Sequence, residues 1–139
     1  MKASILVFLP CLVYGMQRNE WFLVSNDRVK IKVEPCLLRL CGDLKKMVDA
    51  VEDRDSSCDY SNDFISELKK TRTIFVPVVI PLPAMVEFFQ SIYDARYDKL
   101  LLKNICDQFE RDFSTNTLLM MVEGFDIALL KGVMSSDEQ

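Results

Sequence analysis

The side chains that could do chemistry in this chain are five thiols, at positions 11, 36, 41, 58 and 106, and the carboxylates between Asp49 and Asp63; imidazole is absent altogether. Without histidine the commonest general base is missing, and with it the Ser-His and Cys-His nucleophile pairs and most zinc sites. No nucleophile, base and orienting group can be assembled from the rest, so the chain reads as non-catalytic. The thiols form no C-x-x-C pair and no disulfide framework. Cys36, Cys41 and Cys106 are therefore expected to sit on helices as small, reduced, buried hydrophobes. Asp49, Glu52, Asp53, Asp55, Asp59 and Asp63 would be numerous enough for calcium. Their spacing misses the EF-hand pattern and no glycine makes its turn, so residues 49–63 read as a solvated acidic loop, with no metal and no other cofactor implied. A formal net charge of −4 with no long basic run argues against direct contact with nucleic acid, whose phosphates require clustered Lys and Arg.

What remains is binding through apolar surface. The richest stretch is Leu118–Val133, LLMMVEGFDIALLKGV, behind the capping cluster Ser114-Thr115-Asn116-Thr117. Met120, Met121, Phe125, Ile127, Leu129 and Leu130 are the candidates for an apolar groove. Glu123 and Asp126 would form its rim, with Gly124 at the break between two helical segments. A Met and Leu stripe at helical spacing equally describes ordinary core, and both readings stand at this point.

The elements that would position such a groove are legible in the residue pattern. Half of the 139 residues are hydrophobic, enough for one domain with a real core. In Trp21–Val33, Trp21, Leu23 and Ser25 share one face of a strand, and Val29, Ile31 and Val33 alternate with Lys30, Lys32 and Glu34 in a second. Asn26-Asp27-Arg28 supplies the turn between them. Pro35 opens a short helix that Gly42 should stop; Asp43 caps the next, with Leu44, Met47, Val48 and Val51 at i, i+3, i+4 and i+7. The run IFVPVVI, residues 74–80, is a third strand that Pro77 confines to an edge or splits. Helices are expected next over Ala84–Tyr97, with an apolar arc wide enough to be central, and over Lys99–Asp112. Residues 1–15, MKASILVFLPCLVYG, form an apolar extension that is too short to span a bilayer. It has the outline of a secretory signal, stands upstream of Met16 as a start, or is an added segment; the last two are preferred. The domain proper is expected over residues 16–134, with 135–139 a polar tail.

Three blocks of this chain resemble the elongin C and Skp adaptor family, built on the BTB/POZ fold. The first is the hairpin together with the two helical segments after it, where Leu23, Ser25, Asp27, Val33, Leu44, Lys45 and Met47 sit at family-like positions and Arg28 replaces the usual turn glycine. The second is Ile80-Pro81-Leu82-Pro83, feeding a helix; the third is Leu119, Met120, Phe125, Asp126, Ile127 and Leu130. The resemblance implies an α+β fold of Skp/elongin C type, a three-stranded sheet on about five helices. It further implies an adaptor that joins the helical box of a substrate receptor to a cullin in a ubiquitin ligase, with an elongin-B-like partner, in cytoplasm and nucleus. Glu123 and Gly124 stand where the family holds an Asn and an aromatic that help dock a cullin. That departure raises a second reading, a BTB-like subunit of a transcription or ribonucleoprotein complex without cullin binding. Export, the third, depends wholly on residues 1–15.

Overall fold

The structure, a computed structural model, describes residues 20–52, 60–77 and 80–137. The apolar extension 1–15 and most of the acidic loop's interior lie outside the described residues. The chain is mixed α+β: among the described residues a three-stranded sheet is combined with seven helices. That is more than the five or so expected; the helix over Asn62–Thr71, at the end of the stretch read as acidic loop, is among the additions.

Strands β1 (Trp21–Val24) and β2 (Lys30–Val33) pair antiparallel, with Trp21 opposite Val33 and Leu23 opposite Ile31. The alternation holds along β1 and into Ser25: Trp21, Leu23 and Ser25 are buried. It holds in part of β2: Lys30 and Lys32 face water and Val33 is buried, but Ile31 is half-buried and Val29, ahead of the strand, is exposed. Lys30 lies over the Phe22 ring, its Nζ 4.6 Å from the centroid. Ser25 is held by its hydroxyl, which bonds the Asp27 carboxylate. That bond and the Val29 N–H hold the Asp27 carboxyl below the ordinary carboxylate range. The turn closes with Arg28, not Asn26 or Asp27, at positive φ (65°).

Helix α1 (Pro35–Leu38) is a single turn with Pro at its start. Gly42 does not end a helix but begins one, α2 (Gly42–Glu52). The acidic loop is correspondingly shorter than 49–63: Asp49 and Glu52 belong to α2, and Asp63 to the first turn of α3 (Asn62–Thr71), which Ser61 caps by accepting from the Phe64 N–H. Arg72 ends α3 at φ 47° and leads into β3 (Thr73–Phe75). β3 runs parallel to β1 on the edge away from β2, so the sheet order is β2-β1-β3. Parallel neighbours require a crossover, and α1 to α3 provide it. The strand stops before Pro77, as the missing N–H demands, with Val76 N–H still donating to the Val24 carbonyl at 2.8 Å.

One carboxylate ties sheet to helices. Glu52, at the end of α2, accepts from the indole Nε1 of fully buried Trp21 (3.0 Å), from Arg39 (3.1 Å) and from Arg72 (3.1 Å). Arg39 also reaches Asp49, which accepts from Lys45 as well. Burial opposes ionisation of Asp49, but the hydrogen bonds from Lys45 and Arg39 outweigh it and hold that carboxyl below the ordinary range.

The remaining helices are α4 (Leu82–Asp94), α5 (Lys99–Asp112), α6 (Thr115–Gly124) and α7 (Ala128–Asp137). α4 is the central one, burying Leu82, Met85, Phe88, Phe89 and Ile92, and it packs on α1, β2 and α5. α7 extends through Asp137, so the tail expected from residue 135 is helical at its start. Trp21, Leu23, Val48, Phe89, Leu102, Leu118, Ile127 and Leu130 all belong to one core cluster. Cys41 and Cys106 are buried as expected, although Cys41 lies in the bend between α1 and α2 and not on a helix; Cys36 is only half-buried. Burial pushes the Cys41 thiol up to about 12 and the Cys106 thiol to about 11, with neighbouring carboxylates adding to both.

Candidate functional site

Ser114 caps α6 by accepting from the Thr117 N–H (3.0 Å), which starts the helix where its polar cluster ends. From that start, Leu118, Met121 and Val122 fall inward at i, i+3 and i+4. Leu119 and Met120 are thereby turned outward, 37% and 53% exposed. The helix then breaks: Ile127 N–H reaches back to the Val122 carbonyl (2.9 Å), and Asp126 takes φ 53°. The break swings Phe125 onto Phe89, edge to face, with centroids 5.7 Å apart.

The result is an open groove of about 780 Å³. Asn116, Leu119, Met120, Glu123, Gly124 and Phe125 line it from α6 and its C-terminal turn, and Pro77 closes it from the segment after β3. Its floor is thioether, aliphatic and aromatic; Glu123 is the charge on its wall. Such a lining offers apolar burial with an adaptable methionine beside one carboxylate.

Of the residues expected at the site, Met120, Glu123, Gly124 and Phe125 come together here. Met121, Ile127 and Leu130 are buried in the core of the chain itself, out of reach of a partner in this structure. Leu129 is half-buried against the same core. Asp126 is exposed but points elsewhere: its carboxylate bonds Lys131, which with Lys46 holds it below the ordinary range, and its carbonyl accepts from Gly42 N–H at 3.1 Å. Asp126 is therefore a joint between the C-terminal turn and the start of α2. Gly42 makes room at that joint: a Cβ there would overlap the Asp126 carboxylate, which would have to swing away. Leu119, Asn116 and Pro77 join the site from outside the expected set. Leu119 precedes Met120 on the outward arc, a signal present in the helical phase, whereas Pro77 is brought in only by the sheet.

Compared with protein-family models, with curated proteins and with solved structures, the chain matches none. Among the described residues no helix is long and apolar enough to cross a membrane, and no three His, Cys, Asp or Glu side chains cluster to hold a metal ion.

Proposed function

We propose that this protein is a non-catalytic adaptor whose α6 groove receives an apolar helix from a partner. The observation that carries the reading is the outward pair Leu119 and Met120: it forms the groove wall with Phe125 while the inward residues of the same helix complete the core. The resemblance of the hairpin, the Pro-Leu-Pro element and α6 to the elongin C and Skp adaptors supports a finer form. In it the helix is the box of a substrate receptor, a cullin and an elongin-B-like protein complete a ubiquitin ligase, and the complex works in cytoplasm and nucleus. Glu123 and Gly124 favour the second reading, a BTB-like subunit of a transcription or ribonucleoprotein complex that has no cullin surface.

Phe125→Ala is a poor test, because Phe125 also packs on Phe89. Met120→Glu is the clean one: it places a charge in the groove from an exposed position and leaves the core intact. Affinity purification of the native chain from its own cells is expected to recover a cullin and a receptor, and the Met120→Glu chain to lose the receptor. Recovery of other partners in a Met120-dependent manner, without a cullin, decides for the second reading. Identical partners with and without the substitution overturn the groove altogether.

A further inference from the structure

We propose that the cleft between α4 and α5 is a second docking site, shaped for a partner segment that presents an apolar side chain beside a lysine or arginine. The site is separate from the α6 groove and does not depend on it. The cleft has a volume of about 240 Å³. That is below the ~300–1,000 Å³ of typical small-molecule sites, and suits one inserted side chain better than a metabolite. Its floor is an aromatic ladder: Phe88 and Phe109 have centroids 4.3 Å apart, and Phe109 and Phe113 4.8 Å. The first two rungs are buried, and the third, Phe113, is 39% exposed at the mouth. The rings are tilted 40° from one to the next, and an apolar floor with one accessible ring takes an aliphatic or aromatic side chain, while the ring face attracts a cation.

The rim supplies the charge. Glu87 on α4 and Asp112 on α5 stand at the cleft, both exposed. Among the described residues neither has a lysine or arginine at ion-pair distance. Asp112 accepts only from the Gln108 amide (2.9 Å), and the adjacent Arg111 turns to the Gln108 carbonyl oxygen (2.9 Å). Asp112 also closes α5, where the helix dipole is itself negative. Two carboxylates without an ion-pair partner among the described residues, beside an aromatic floor, are complementary to a basic residue flanking an apolar one.

Short random peptides displayed on phage, selected against the purified full chain, test this directly. Enriched peptides are expected to carry Lys or Arg next to an aliphatic or aromatic residue, and to bind more weakly as salt rises. Their affinity should fall at least about tenfold for the Glu87→Lys/Asp112→Lys chain and for Phe113→Ala, and remain unchanged for Met120→Glu. Glu87, Asp112 and Met120 are exposed, so their substitutions leave the core intact and carry the test; Phe113 also packs on Phe109, so its variant counts only where circular dichroism and the melting temperature match the wild type. The proposal is overturned if no peptide is enriched, if enriched peptides are acidic or lack a basic residue, or if they ignore the rim substitutions. Peptides that all depend on Met120 would overturn it too while supporting the α6 groove.

Discussion

Removing the Glu52 carboxylate probes the joint between sheet and helices, and the size of the effect is set by its three partners. In Glu52→Ala the indole N–H of Trp21, fully buried, loses its acceptor, at a cost of about 1–3 kcal/mol for an orphaned buried donor. Arg39 and Arg72 lose one ion pair each, worth about 0.2–1 kcal/mol apiece before screening; the Arg39 pair belongs at the low end because that side chain is more than a third exposed. Together the loss is about 1.5–4 kcal/mol, which moves a urea midpoint by roughly 0.7–2 M. Glu52→Gln keeps an oxygen for the indole and loses only the charge, so about 1 kcal/mol is expected. Trp21 is the sole tryptophan of the chain, so its fluorescence reports unfolding from the site of the change itself. Glu52→Ala within about 0.5 kcal/mol of the wild type, or equal to Glu52→Gln, would show that the indole bond does not hold β1 to α2.

At the second joint, Gly42→Ala is expected to destabilise by about 1–3 kcal/mol in chemical denaturation, because its new methyl meets the Asp126 carboxylate. Asp126→Gly, which removes that carboxylate and suits the positive φ, should restore most of the loss when combined with it; a purely additive pair would refute the contact. Alkylation by iodoacetamide at pH ~8, mapped by mass spectrometry, should leave Cys41 and Cys106 unmodified until the protein unfolds, since burial keeps both thiols protonated. Rapid native labelling of Cys41 would contradict its burial. Asp49 and Asp27 have folded-state affinities for protons below their ordinary 3.8, so each contributes stability that is present above that value and lost as pH falls through and below it. Thermal melts should therefore show these contributions intact at pH ~5 and failing below ~4; substituting Asp49→Asn should flatten the acid limb, and an unchanged limb would refute its part.

Much of this fold could be read in one dimension because the deciding interactions are periodic or local. Alternation in Trp21–Val33 specified which hairpin face is buried, since successive side chains on a strand must point to opposite sides. Ser114 announced a helix start because a cap is a bond within three residues, and the structure shows Ser61 and Asp98 capping helices by the same local bond. The stripe of α6 likewise announced an apolar helix. Periodicity, however, says that a face is apolar without saying what covers it. Only the tertiary structure assigned Met121, Ile127 and Leu130 to the chain's own core and left Leu119 and Met120 outside, because only packing against α5 and α7 sets the helix's rotation. Glu52 looked like one of a run of solvated acids until the sheet brought Trp21 and Arg72 to it. Gly42 looked like a stop signal until Asp126, far along the chain, proved to occupy the space its side chain would need. Contacts of that kind join residues with no sequence relation, so position in the chain carries no trace of them.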